Sequence, residues 1–412
     1  MLYIGVDIHK RQHEVAIVSE NGTLRGKSFT IKNSHEGLRL LFQRIERVNP
    51  DREPLTFALE ATGPYWLAIH SHLSDGGHRV VVLNPLRSSA YRKLNIRPAK
   101  TDRIDAWCIA EMVRLGLDEE TPLLSAQILG LRQLTRQRVD LTTYLANQKR
   151  RIHSLLEQVF PEFEDLFQPM FGKTAMALLG TYPTPSEIAA LGLEELTAFV
   201  QIQSNYHLGE AKAREILQAA QSSFGVTFGQ EAYSIQIRLL VEQITFLKQQ
   251  VKALGRDIAA VLDSIPQYLT TIPGVGPVLA AAILSEIGDV RRFKNAESLV
   301  AYTGIDPPVF QSGQFTASTA HISKRGSPFL RRVIWQAAVA ATRTDPALKA
   351  LHQRKMAEGK HYQVAIGAVA NKLIHIIYAV LRDNKPYYCV LPAKPVSAQE
   401  QLPPGTAVPS IA

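Results

Sequence analysis

The sequence predicts an α/β domain at the N terminus, a long helical coiled-coil middle, and a mainly α C-terminal domain with a helix-hairpin-helix. Three observations predict it. Short apolar runs with strand character recur before residue 85, separated by turn residues and helical patterns. Two long stretches, 125–160 and 231–262, then keep apolar residues at helical spacings. Lastly, the glycine turn I-P-G-V-G-P stands before an apolar helical run.

In chain order, LYIGVDI (2–8), HEVAIV (13–18) and LRGKSFTI (24–31) read as three strands, the second turn being Glu20-Asn21-Gly22. Residues 35–48 have helical spacing, with Leu38, Leu41, Phe42 and Ile45 on one side. LTFALEA (55–61) is a fourth strand and HRVVVLN (78–84) a fifth, after an intervening helix. The next helix starts near Thr101, whose hydroxyl can cap it, and carries Asp102 and Asp105 in its first turn. This first domain covers residues 1–124.

The middle, 125–265, holds both long amphipathic patterns around a short helical insert. Leu131, Leu134, Leu141, Leu145 and Ile152 mark the first, and Ile235, Leu239, Ile244, Leu247, Val251 and Leu254 the second. Such a pair fits an antiparallel hairpin, a coiled-coil dimer arm or packing within one core. The third part, 266–385, begins at LTTIPGVGPVLAAAILSEIGDVRRF. Gly274 and Gly276 there precede a helix whose first amides could grip a DNA phosphate, and a plain helix-turn-helix packing unit is the other reading. Residues 386–412, rich in Pro, Ser and Ala, read as a tail that is disordered beyond about Leu391.

Lys and Arg number 46 against 37 Asp and Glu, a net charge of +9. That excess favours a polyanionic partner, since each neutralised phosphate releases condensed counterions. Two cysteines, Cys108 and Cys389, are too few for a disulfide framework or a cysteine zinc site and fit a reducing, cytoplasmic setting. No signal peptide pattern follows Met1, and no window approaches the roughly 18 uninterrupted apolar residues of a membrane span.

The acids carry the chemistry. Asp7 follows an apolar strand, Glu60 closes another, and Asp102 and Asp105 lie at i and i+3 on one helix face. Taken singly, the helix acids gain from the helix dipole and Asp7 sits near a turn; a glutamate ending an apolar strand is rarer, because burying it alone is costly. Together they supply four hard oxygen donors suited to Mg²⁺, with Mn²⁺ satisfying the same set. That arrangement in a domain of this order is ribonuclease-H-like. The basic run that precedes the helix, with Arg87, Arg92, Lys93, Arg97 and Lys100, could steer a phosphate backbone. His9, two residues past Asp7, could support the acids or help an RNA contact, although a lone histidine there is more often structural.

The motifs Y-I-G-V-D, L-E-A-T-G-P-Y and K-T-D-R-I-D-A, then I-P-G-V-G-P, A-Y-T-G-I-D-P, Q-S-G and I-S-K-R-G-S-P-F-L-R, resemble the bridge-RNA-guided DEDD transposases of bacterial insertion sequences. The resemblance covers residues 2–110 and 266–340. It implies a RuvC-like N-terminal domain whose four acids match Asp7, Glu60, Asp102 and Asp105. It also implies a C-terminal transposase domain whose serine, matching Ser312, forms a phosphoserine link to DNA. The acids would hold Mg²⁺ in a composite site between subunits. A structured non-coding RNA would pair with target and donor DNA, and homodimers would assemble into a tetramer acting in the bacterial cytoplasm, at the nucleoid.

Ser312 rests mainly on this resemblance, because Ser318, Ser323 and Ser327 lie close by and a hydroxyl needs activation. Gly313 beside it allows a tight turn. Two basic clusters, Arg291, Arg292 and Lys294 before it and Lys324, Arg325, Arg331 and Arg332 after it, fit phosphate contacts to DNA or RNA. Two other functions fit parts of the chain. One is a Holliday-junction endonuclease using only the four acids, and the other is a non-catalytic DNA-binding protein.

Overall fold

In a computed structural model the described residues are 1–61, 63–93, 101–117, 124–306, 311–312, 315–316 and 321–389; at 86, 92–93, 311–312 and 315–316 the backbone alone is described. The chain divides into two compact units, Met1–Leu123 and Leu124 onward.

Unit one is a five-stranded mixed sheet between helices. Its strands are β1 (Leu2–Ile8), β2 (Gln12–Ser19), β3 (Phe29–Lys32), β4 (Leu55–Glu60) and β5 (Arg79–Leu83), in the order β3-β2-β1-β4-β5. β1, β4 and β5 run parallel, whereas β2 is antiparallel to both its neighbours. The alternation of β1 decides the layers. Leu2, Ile4, Val6 and Ile8 pack with Leu41 and Ile45 of α1 (His35–Val48) and Ile69 and Leu73 of α2 (Trp66–Asp75). On the other face Ala58, Val81 and Leu83 meet Ile109, Met112 and Val113 of α4 (Asp102–Arg114), with Tyr91 of α3 (Pro85–Lys93) against them.

The third strand is shorter than its sequence predicts. Leu24 makes a lone bridge to Val18, and Gly26 at φ +83° turns the chain before pairing resumes at Phe29.

Unit two is mostly helical. Its spine is an antiparallel pair of 34-residue helices, α5 (Ala126–Val159) and α11 (Gln230–Asp263). At one end Ile152, Leu156 and Val159 of α5 and Ile237, Leu240 and Ile244 of α11 enclose a core with the insert. That insert comprises α6 (Phe163–Leu166), α7 (Lys173–Thr181), α8 (Pro185–Ala189), α9 (Leu193–Gln203) and α10 (Glu210–Gln221). At the other end Leu131, Ile258 and Leu262 join the C-terminal core. It is built from α12 (Pro277–Ile287), α13 (Ala296–Thr303), α14 (Pro328–Thr344), α15 (Pro346–Ala357) and α16 (Tyr362–Asp383). By length and composition α16 could cross a membrane, yet Ile366, Val369, Leu373, Ile374 and Ile377 are all buried in this core.

An ion pair to a buried carboxylate ties the spine to this core. Glu286 of α12 is 2% exposed and takes two hydrogen bonds from Arg136 of α5, at 2.7 and 3.1 Å, and one from Ser327 Oγ at 2.9 Å. The start of the Pro-rich tail packs on this core. Tyr387 donates its hydroxyl to Asp345 at 2.9 Å and its amide to Thr271 at 2.8 Å. The rest of that tail, from residue 390, lies outside the described residues.

Candidate active site

The site is assembled from two strand ends and a helix start. Val6 of β1 is paired with Leu59 of β4, so the next residues, Asp7 and Glu60, end adjacent parallel strands on the face that α4 covers. Gly5 lets α4 approach. A Cβ there would lie 2.0 Å from the Ala106 carbonyl oxygen and 2.7 Å from the Ala110 amide, so any other residue would force the helix away. The helix therefore comes down with its first turn beside Asp7. Thr101 caps it, its hydroxyl accepting from the Ile104 amide at 3.4 Å, and Asp102 and Asp105 follow in that turn.

Asp105 and Glu60 are buried, at 6% and 8% exposure, while the Asp102 side chain is exposed. Glu60 accepts a hydrogen bond from the buried Ser88 hydroxyl of α3 at 2.8 Å. Burial pushes the Asp7 carboxyl up to about 6; His9 opposes this, and the charges of Asp105, Glu60 and Asp102 add to it. The other three acids thus all act on Asp7, which sits in a partly dehydrated space.

Of the readings the sequence leaves for His9, its position favours a group that supports the acids. Its Nδ1 lies 3.8 Å from Asp7 Oδ2 and its Nε2 4.0 Å from Asp102 Oδ1. The signal was present, since positions 7 and 9 share a face in extended chain. His13 supports the turn from below. It is 1% exposed, burial holds its ring below the usual histidine range, and its Nδ1 accepts the His9 amide at 3.3 Å. Glu14 is a further buried acid, paired in register with Asp7. It accepts from the Thr30 hydroxyl at 2.7 Å and lies 3.9 Å from Arg103, which compensates its charge locally.

This donor set fits a hard divalent cation. Asp7, His9 and Asp102 each offer a ligand atom, and those atoms lie within 4.8 Å of one another, with the carboxylates of Glu60 and Asp105 acting on the same space. A carboxylate whose proton affinity is raised by burial and acidic neighbours is relieved by a cation.

The other sequence candidates are dispersed. Gln311–Ser312 forms β6, paired antiparallel with β7 (Phe315–Thr316) so that Ser312 faces Phe315 in register. Gly313 and Ser318 lie outside the described residues, as do Arg97 and Lys100; the side chains of Arg92 and Lys93 are likewise undescribed. Arg87 reaches the Leu117 carbonyl at 3.4 Å. In unit two Lys294, Lys324 and Arg325 are exposed. Arg291 is held by Asp289 through contacts of 2.8–3.1 Å. Arg292 stacks at 4.6 Å on both Phe293 and Tyr302, Arg331 donates to the Thr303 carbonyl, and Arg332 donates to Thr143. These three brace the fold. Gly274, at φ +91°, has a packing duty, because a Cβ there would meet the Ala341 amide at 2.7 Å, whereas Gly276 caps α12 facing open space. Only a single 3₁₀ turn, Leu269–Thr271, stands before that glycine turn.

Two family models match. The transposase model DEDD_Tnp_IS110 covers residues 4–161, and the transposase IS116/IS110/IS902 family model covers residues 266–353. The 43.6 kDa protein of insertion element IS110 from Streptomyces coelicolor is 27% identical, over 95% of this chain and 96% of its own. A pilin gene-inverting protein of Moraxella bovis is also 27% identical, over 93% of this chain and 97% of its own. The transposase for insertion sequence element IS1328 of Yersinia enterocolitica is 25% identical, over 92% and 96%. Among solved structures, T. thermophilus RuvC in complex with a Holliday junction substrate matches 29% of this chain and 99% of its own at 15% identity. Its TM-score of 0.22 is too low to bear on fold or function. With two models of one family covering its two ends in order, and relatives matching it nearly end to end, the chain belongs to the IS110/IS116 family of transposases, which are DNA-processing enzymes.

Proposed function

We propose that this transposase cuts and rejoins DNA at the ends of an insertion sequence by metal-assisted phosphoryl transfer, with Asp7, Glu60, Asp102 and Asp105 as the metal ligands and Ser312 as the nucleophile. The observation that carries the reading is the convergence of four carboxylates on one partly buried space, where Asp7 is pushed up to about 6 by burial and by its acidic neighbours. Such an arrangement costs folding energy and serves nothing in a protein that merely coats DNA. When bound, Mg²⁺ would neutralise charge that builds on the phosphate oxygens.

The chain's own groups have distinct tasks. The α4 N terminus adds a positive dipole end beside the acids, a setting suited to a backbone phosphate. His9, at the solvent edge, orients Asp7 and Asp102. In the proposed step the Ser312 oxygen bonds to phosphorus while the bond to the leaving strand oxygen breaks, and the serine proton passes to solvent or to that oxygen. The resulting ester keeps the energy of the broken linkage, so rejoining needs no nucleotide cofactor.

The finer parts of the proposal are guidance by a structured non-coding RNA, pairing with donor and target DNA, and assembly of dimers into a tetramer. Ile235, Leu239 and Phe246 are exposed along α11, which supports a coiled-coil dimer arm. The exposed Gly276 turn before α12 supports a helix-hairpin-helix contact to a phosphate. Acting on an element inserted in a bacterial chromosome places the enzyme in the cytoplasm.

A covalent-adduct assay tests the mechanism. Protein co-expressed with the non-coding RNA of its element is incubated with Mg²⁺ and labelled element-junction DNA, then resolved under denaturing conditions. The expected result is a DNA-linked protein band, absent in Ser312→Ala and in Asp102→Asn, with DNA binding retained in both. Cleavage without adduct, unchanged in Ser312→Ala, would leave the four acids as the whole catalyst and favour a junction endonuclease.

A further inference from the structure

Beside the Ser312-bearing segment lies a cleft that none of the roles above uses. The segment's two ends are pinned together. Ser323 donates its amide to the Asp306 carbonyl at 2.9 Å and its hydroxyl to the Asp306 carboxylate at 2.7 Å, and the Lys324 amide donates to the Gly304 carbonyl at 3.0 Å. Just outside this neck a cleft of about 670 Å³ opens between residues 305 and 321–324, Trp335 of α14 and one face of α16. Its size falls in the roughly 300–1,000 Å³ range of small-ligand sites.

The lining is chemically specific. On α16, Gln363, Gly367 and Asn371 are spaced by four, so one row of the helix presents two amides with a gap between them. Trp335 supplies an indole wall, Lys324 an exposed ammonium and His321 an exposed imidazole at the mouth. None of these five side chains has a hydrogen-bond partner among the described residues, although the amides, indole and imidazole all carry donors or acceptors. Lys324 takes φ +53°, a conformation a lysine rarely adopts, and that turn belongs to the neck itself.

An aromatic wall, two amides able to pair with a base edge, and a cation at the mouth together match one ligand chemistry. Bases taken out of a duplex are held by stacking and by hydrogen bonds to their edges, with their phosphates on lysine or arginine. We infer that this cleft takes an unpaired nucleotide of the DNA strand next to the one being cut, its base against Trp335 and facing the Gln363 and Asn371 amides, its phosphate on Lys324. A strand-exchange enzyme must hold partly unpaired DNA, and a base parked here would keep the strand from re-pairing. This inference rests on the transposase reading of the protein and adds a binding site to it.

The experiment compares the affinity of the full-length protein for a short labelled duplex and for the same duplex with one extrahelical nucleotide, by fluorescence anisotropy. Wild type should bind the second roughly tenfold more tightly, the scale of one base stacked on an aromatic ring. Trp335→Ala should bring the ratio close to one while affinity for the paired duplex is retained. Because Trp335 also packs on the core, Val364→Trp serves as a second variant; Val364 is 57% exposed at the cleft rim, and a larger side chain there fills the cleft without disturbing the core. It too should abolish the preference. A wild-type ratio near one, or a preference that survives both variants, overturns the inference and leaves the transposase reading intact. Failure to bind either duplex overturns both.

Discussion

Asp7→Asn should make the metal-free protein more stable while ending its activity. Asp7 is 14% exposed at its side chain, and its carboxyl is pushed from 3.8 up to about 6, mainly by burial and then by the charges of Asp105, Glu60 and Asp102 against the opposing His9. Below pH 3.8 the carboxyl is protonated folded and unfolded alike, and it costs nothing. Between that value and about 6 the native state binds more protons than the unfolded state, so stability falls as pH rises, and above about 6 the full penalty is present. Two pKa units correspond to on the order of 3 kcal/mol. Asparagine keeps the shape and removes the charge, so urea unfolding in EDTA should show the variant more stable by roughly 2–3 kcal/mol at pH 8 and equal to wild type near pH 4. Adding Mg²⁺ at a hundredfold excess over its dissociation constant should return about 2.7 kcal/mol to wild type and little to the variant. A difference independent of pH, or a variant less stable at pH 8, would refute the account of a strained acid cluster.

Three other outcomes are expected. Gly5→Ala should destabilise unit one by about 1–3 kcal/mol and abolish cleavage, because its Cβ would meet the Ala106 carbonyl at 2.0 Å; a thermal melt and a cleavage assay matching wild type would show that α4 has room to move. His9→Gln should weaken Mg²⁺ binding by roughly 10–100-fold without unfolding the protein, the usual effect of losing a group that orients metal ligands, and unchanged affinity by titration calorimetry would return His9 to a structural role. Arg136→Ala should cost about 3 kcal/mol in urea unfolding, since it leaves Glu286 buried with only the Ser327 hydroxyl, whereas Arg136→Ala with Glu286→Leu should recover most of that loss; no recovery would mean the arginine acts through its packing on Phe329.

Much of this architecture is legible in local patterns. The strand alternation of β1, β2, β4 and β5, the amphipathic face of α1, and the two long helices follow from the period of their apolar residues, which local backbone geometry enforces. The cap at Thr101 and the placement of Asp102 and Asp105 in one turn follow from the same kind of local rule. Where a local rule competes with a turn, the pattern misleads. Residues 24–28 have strand composition, but Gly26 at positive φ breaks the pairing. The basic residues show the same limit from another side. Sequence gives their charge, but Arg292 is engaged by aromatic rings, and Arg331 and Arg332 by a carbonyl and by hydroxyls distant in the chain.

By itself the sequence determined which residues could act: four acids at strand ends and a helix start, a serine beside a glycine, and motifs shared with a transposase family. The tertiary structure decided how the acids meet. Register between β1 and β4 puts Asp7 beside Glu60, and the missing side chain of Gly5 lets α4 bring Asp102 and Asp105 to them. It also set the His9 ring between two of the acids, and opened a cleft between Trp335 and the α16 amides. The physical reason is that residue type and period are properties of a short stretch of chain. Proximity, burial and the shared field that raises the Asp7 carboxyl arise only when segments distant in sequence pack together.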